Sequence, residues 1–157
     1  MKPHASGKFG TGTATLVIFD PICLISRIED TGDWWSIPDE ELSEVNAGNV
    51  IFASLGCDGG YSFDVYRLQH DEQLPAAGLR AKVRTRMGSF YIGAGEQVIG
   101  EDIGPSTQYG GLLFAIPAGN YEVEIQLEEA SGNLKIYFKQ IDEEAENDFT
   151  DSPALFV

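Results

Sequence analysis

The sequence predicts an all-β fold: an antiparallel β-sandwich, jelly-roll-like, with one short helix. Three observations carry this. Apolar and polar residues alternate with period two through many short runs, as half-buried strands require. Gly, Pro, Asn and Asp punctuate the runs at near-regular spacing, as in sandwiches and barrels. Only one segment has helical start and stop signals. A closed barrel is the runner-up architecture. With 157 residues and 43% hydrophobic content, one domain over 1–157 can bury a real core. A short polar N-terminal tail (1–10) and an acidic C-terminal segment (142–157) flank it.

In chain order, residues 13–19 (TATLVIF) read as a first strand and 23–28 as a second, separated by Asp20-Pro21. Residues 30–33 form a turn by composition. The helix falls at 38–45: Pro38 sits early, Asp39, Glu40 and Glu41 fill the first turn, and Gly48 closes it. Leu42 and Val45 would be its buried contacts. Segments 50–55 and 61–69, joined by Cys57-Asp58-Gly59-Gly60, read as a hairpin. Segment 79–87 alternates cleanly, with Leu79, Ala81, Val83, Thr85 and Met87 on one face and Arg80, Lys82, Arg84 and Arg86 on the other. Short strands are expected at 89–92, 97–99 and 112–116. In the strand at 121–127, Tyr121, Val123, Ile125 and Leu127 face inward, and Glu122, Glu124, Gln126 and the following Glu128 outward. The last long strand is 134–141. The final apolar residues, 154–157, suit an edge strand or a docking segment.

Charge is the most informative single property. Twenty-five Asp and Glu oppose ten Lys and Arg, a net of −15. The acids concentrate at 39–44 and 142–151. A field of this sign repels nucleic acid and anionic membrane and steers toward basic partners. The basic ladder at 80–86 and the acidic ladder at 122–128 match in period and sign, so cross-strand pairing accounts for both; the other account is an anion-binding patch at the bases. No run approaches the 18 apolar residues of a membrane span, and residues 1–8 lack a signal-peptide core. A cytoplasmic location is expected, which favours Cys23 and Cys57 as buried free thiols over a disulfide between them.

Catalytic chemistry is sparse. His4 lies in the tail and His70 in a loop, and no zinc spacing, nucleophile elbow or phosphate loop occurs. Cys57 with His70 could form a nucleophile–base pair, but a small buried hydrophobe is the simpler role. Gly93-Ala94-Gly95 lacks the strand–turn–helix setting of a dinucleotide site. Asp58 and Asp64 offer too few oxygens for calcium. The expectation is a binding protein rather than an enzyme, with no cofactor and no metal. Trp34-Trp35 is the unusual dipeptide: alternation sends one indole to the core. The other would either cover the sandwich edge or, beside Asp30, Asp33, Asp39, Glu40, Glu41 and Glu44, anchor a partner interface.

The turn and strand at 116–123 (IPAGNYEV), within a similar region over 112–141, resembles β-sandwich inhibitors associated with bacterial competence nucleases. It is also similar to immunity-type proteins encoded beside polymorphic toxins, as are Gly32-Asp33-Trp34-Trp35 and Asp58-Gly59-Gly60-Tyr61. The resemblance implies a stoichiometric cytoplasmic inhibitor whose partner is a cognate toxin or effector protein. An acidic surface would occlude the toxin's active site, that of a nuclease or another enzyme with a basic cleft. Nucleic acid and membrane are not expected as direct partners, while exposed edge strands leave homodimer formation open. The alternative is a module that binds a small ligand or carbohydrate on Trp34, Trp35, Tyr61 and Tyr66.

Overall fold

Nine strands among the described residues form two sheets, and the chain crosses between them at β1–β2, β3–β4, β5–β6 and β7–β8. The structure is a computed structural model that describes residues 2–27, 34–99 and 110–155. The strands are β1 (Ala5–Thr11), β2 (Thr15–Phe19), β3 (Val50–Ser54), β4 (Gly59–Arg67), β5 (Leu79–Thr85), β6 (Ser89–Ala94), β7 (Leu112–Ala115), β8 (Gly119–Glu128) and β9 (Asn133–Ile141). One sheet is ordered β1-β4-β9-β8-β5, the other β3-β2-β6-β7. One α-helix, α1 (Pro38–Asn46), and 3-10 segments at Pro21–Arg27, Trp34–Ser36 and Gly95–Ile99 complete the described elements. No helix among the described residues is long and apolar enough to cross a membrane.

Two cores explain the sequence pattern. The larger gathers inward residues of both sheets, among them Leu16, Ile18, Ile51 and Phe90 from one and Phe63, Val83, Val123 and Phe138 from the other. The smaller lies on the opposite face of the four-stranded sheet, where Val17, Phe19, Val50, Phe52 and Tyr91 meet Leu24, Trp34 and Val45. Strands β2 and β3 are therefore buried on both faces, which is why they read as unbroken apolar runs rather than alternating ones. Each such side chain contributes roughly 1.5–3 kcal/mol on burial.

Several expectations change. The sheets are not antiparallel throughout: β4 and β9 pair in parallel, from Ser62↔Asn133 to Arg67↔Phe138. The strand expected over 23–28 is not formed at 23–27, because Pro21–Arg27 coils into a kinked 3-10 segment started by an Asp20 Oδ1 bond to the Ile22 N–H (3.0 Å); residue 28 lies outside the described residues. Segments 50–55 and 61–69 do not form a hairpin, since β3 and β4 belong to different sheets. The N-terminal segment is not a tail but β1, paired with β4 from Ala5↔Val65 to Thr11↔Gly59. Residues 97–99 lie in a 3-10 segment rather than a strand. Leu42 is only half-buried, whereas Val45 is fully buried. Both cysteines are free thiols, but Cys57 is exposed while Cys23 is buried. Gly93 serves packing: a Cβ there would strike the Tyr91 ring, and burial pushes the Tyr91 hydroxyl up to about 12.

Two carboxylates organise the crossings. Asp20, at the end of β2, is fully buried. Its Oδ2 accepts from the Thr85 hydroxyl (2.8 Å) and the backbone N–H groups of Arg86 (2.7 Å) and Met87 (2.9 Å), fixing the β5–β6 corner. Glu96 holds the β1–β2 turn, accepting from the Thr11 (2.7 Å) and Thr13 (2.8 Å) hydroxyls and the Gly12 N–H (2.7 Å). Burial raises the Glu96 carboxyl, but bonds from Thr11, its own backbone N–H, Gly12 and Thr13 outweigh that and hold it below the ordinary 4.5.

Asp20→Asn turns donors onto donors and should cost about 3 kcal/mol, read as a lower urea midpoint. Glu96 has a folded pKa below its unfolded one, so its stabilisation is present above the unfolded value and is lost as pH falls through the folded value. Glu96→Gln should therefore lower stability at neutral pH and flatten the decline in acid. Equal acid limbs in a pH series of urea titrations would refute this.

Candidate functional site

The charged segments of the sequence converge on one side of the fold. Helix α1 starts at Pro38, and Asp39, Glu40 and Glu41 in its first turn suit the positive end of the helix dipole. It ends at Ala47, with Gly48 left-handed (φ +80°). The Gly48 N–H bonds the Val45 carbonyl (3.0 Å) and the Asn49 N–H that of Glu44 (3.1 Å), the Schellman arrangement. A Cβ on Gly48 would also strike the Ala145 carbonyl, so glycine is required both by conformation and by the close approach of the C-terminal segment.

That segment, after β9, is a strap rather than a frayed tail. Ala145 is fully buried. Asn147 accepts from the Lys82 N–H (2.8 Å) and donates to the carbonyls of Lys82 (2.8 Å) and Val45 (2.8 Å), sealing the outer edge of β5 against α1. Asn46 brackets Phe149, donating to its carbonyl (3.0 Å) and accepting from its N–H (2.9 Å) across 103 residues of sequence. Pro153 and Leu155 then bond the backbone of Ser54 (both 2.9 Å), adding a parallel bridge to the edge of β3. The strap thus runs along α1 and reaches its first turn where Ser152 meets Glu41, and Glu143, Glu144, Glu146, Asp148 and Asp151 are exposed on it. Burial pushes the Glu41 carboxyl above its ordinary 4.5, partly offset by a hydrogen bond with Ser152 of the strap.

The structure separates the sequence-selected residues. Trp34 is buried (3% exposed), edge-on to Phe52 with ring centroids 6.1 Å apart, and Trp35 is half-buried, stacked on Phe52 at 5.9 Å. Neither indole stands free at the surface. Arg27 lies over Trp34 (4.7 Å) and pairs with Glu40 (2.7 Å) and Glu44 (3.6 Å). Glu44 is itself buried (8% exposed) and takes a bond from Asn49 (3.3 Å), so it braces α1 from within. Asp39 is exposed, and Glu40 and Glu41 are half-exposed. Asp30 and Asp33 lie outside the described residues.

The ladder at 80–86 faces its acidic counterpart, with Arg80↔Glu124 and Lys82↔Glu122 in register. Arg80 Nε meets Glu124 at 3.1 Å, and Glu124, expected to face solvent, is fully buried there, with Gln126 donating to its other oxygen (2.9 Å). The strap adds Glu143 to Lys82 (3.6 Å) and Glu144 to Arg84 (3.9 Å). These longer, exposed pairs are worth under about 1 kcal/mol each, but they leave the ladder occupied by the chain's own carboxylates.

Cys57 and His70 flank opposite ends of β4, whose nine residues span roughly 30 Å. Cys57 Sγ instead lies 3.4 Å from the Tyr61 hydroxyl, which donates to the Cys57 carbonyl (2.6 Å). His70 lines a small cleft with Arg67, Gln69, Gln140 and Asp142. Asp64 accepts from the Ser6 hydroxyl (2.6 Å). Among the described residues, no group of three or more His, Cys, Asp or Glu is placed to hold a metal.

A family model of unknown function, DUF6386, matches residues 3–154. The chain belongs to DUF6386. No curated protein matches it. Two solved structures share the fold of this DUF6386 chain. The crystal structure of ComJ, inhibitor of the DNA-degrading activity of NucA, from Bacillus subtilis, is 10% identical, covers 89% of this chain and 98% of its own, and has a TM-score of 0.52. Crocagin biosynthetic gene J is 11% identical over 85% and 97%, with a TM-score of 0.51. At such identities the likeness is one of fold.

The strap's attachment gives a direct test. Asn147→Ala removes three bonds and leaves the Lys82 amide unpaired, which should cost about 2–3 kcal/mol. Limited proteolysis should then cut within 142–152 of the DUF6386 variant while sparing the wild type.

Proposed function

We propose that this DUF6386 chain is a stoichiometric inhibitor of a protein partner: an immunity protein that lays its acidic face into the basic active-site cleft of a cognate bacterial toxin. The observation that carries this is the convergence of α1 and the strap, which gathers acids from two distant parts of the sequence on one surface. The shared fold with ComJ, an inhibitor of a DNA-degrading activity, supports it. Carboxylates at phosphate-like positions suit a cleft built for anions, and long-range attraction raises the association rate. Asp39, Glu40 and Glu41 are the proposed contacts, with the strap acids beside them. Trp34, Trp35 and Glu44 hold α1 in place from beneath. The site of action would be the cytoplasm.

The test is co-expression with the toxin encoded by the neighbouring gene, with growth as readout. Wild-type protein should restore growth through a one-to-one complex that weakens as salt rises. The Asp39→Asn, Glu40→Gln, Glu41→Gln variant should bind at least about tenfold more weakly, a loss of roughly 1.4 kcal/mol. Full protection by the neutralised variant would remove the acidic face from the mechanism.

A further inference from the structure

Four large apolar side chains are exposed among the described residues: Ile25 (47%), Ile37 (43%), Met87 (59%) and Leu113 (53%). Three of them surround the helical layer. Ile25 lies on the 3-10 segment whose last residue, Arg27, binds Glu40 and Glu44 of α1. Ile37 is the residue that caps α1, held by its N–H to the Trp34 carbonyl (3.1 Å). Met87 sits at the corner that Asp20, the residue preceding the 3-10 segment, fixes through the Met87 N–H (2.9 Å). Leu113 lies apart, on β7 at the far edge of the four-stranded sheet.

The exposure of Ile37 is not demanded by the helix it precedes. Ile37 is a poor helix cap, since it offers no side-chain acceptor to the first turn, and α1 has no side-chain cap bond. Ser, Thr or Asp there would stabilise the helix and hide no apolar surface. The neighbouring acids supply the second half of an interface. Protein interfaces pair an apolar centre with a polar rim, and Asp39, Glu40 and Glu41 lie immediately beyond Ile37 in the first turn of α1. Arg86, next to Met87, lines a different depression with Arg84, Asn120 and Glu144, leaving the rim beside Ile37 acidic.

We propose that the helical layer docks on a cationic protein surface with an apolar recess, using Ile25 and Ile37 as central anchors, Met87 at the margin and the first-turn acids of α1 as the rim. This rests on the inhibitor reading and deepens it. Charge sets the encounter, and the isoleucines replace the indoles as the source of specificity and residence time.

The test uses two synthetic helical peptides of equal length and charge, one with a Lys face and a Leu stripe, the other with Ala in place of Leu. The full-length protein should bind the Lys/Leu peptide about tenfold more tightly than the Lys/Ala peptide, measured by fluorescence anisotropy. The Ile25→Ser, Ile37→Ser variant should bring that ratio close to one while leaving Lys/Ala affinity unchanged. Its thermal midpoint, expected to match the wild type because both side chains are exposed, guards against misfolding. Equal affinities in the wild type, or a ratio that survives the double substitution, would overturn the proposal. Neutralising Asp39, Glu40 and Glu41 should weaken both peptides alike. If that variant binds both as the wild type does, the acidic-face reading fails separately from the apolar one, and binding of neither peptide by the wild type overturns both.

Discussion

The buried carboxylate of Asp20 decides where the chain leaves one sheet for the other. Three donors from the β5–β6 corner converge on Oδ2 while Oδ1 starts the 3-10 segment that follows β2. One side chain thereby joins the end of a strand in the four-stranded sheet to the end of a strand in the five-stranded sheet. A polar group so deeply placed is tolerable because hydrogen-bond donors meet both of its oxygens. The helical layer hangs from the same point, since it begins with Pro21. Displacing Asp20 would move the corner, the layer and the acids of α1 together.

The strap performs a second closure. Two sheets facing each other leave open edges, and open edges invite pairing with other chains. On the β5 and β3 side, Asn147 and the backbone of Pro153 and Leu155 supply the missing bonds. On the other side, Gly110 bridges to Phe9 of β1. The same strap that protects these edges carries much of the negative charge, so edge protection and surface potential are built from one segment. Asparagine amides and backbone bonds hold the strap in place; Glu143 and Glu144 also pair with Lys82 and Arg84, while Glu146, Asp148 and Asp151 stand exposed beyond them.

Most strands were legible in the sequence because alternation and turn residues are local signals. The pairing of β5 with β8 was legible too, through the complementary charges of Arg80 and Lys82 with Glu124 and Glu122. What escaped was non-local. Strand β1 carries glycines and lysine in place of a regular apolar face, and it is a strand only because β4 offers it a partner. The burial of Trp34 and Glu44 depends on Arg27 and Phe52, which nothing in the local spacing connects to them. Asn46 and Asn147 look like ordinary turn residues, and no periodicity reveals that they clasp each other's segments. Acid content was visible, but its convergence was not, because that is a property of the strap's path.

The path of the strap also sets an order of events during synthesis. The edge of β5 is made early, but the residues that seal it follow more than sixty positions later, after β9. Until they emerge from the ribosome, the nascent chain holds two assembled sheet edges with nothing across them, and non-local closure of this kind is slow. The strap, translated after every strand of both sheets, is thus the segment that converts an adhesive intermediate into a covered surface. A chain stalled or cleaved before residue 145 would keep most of its net charge of −15 but lose its edge cover, leaving the fragment prone to self-association rather than merely inactive.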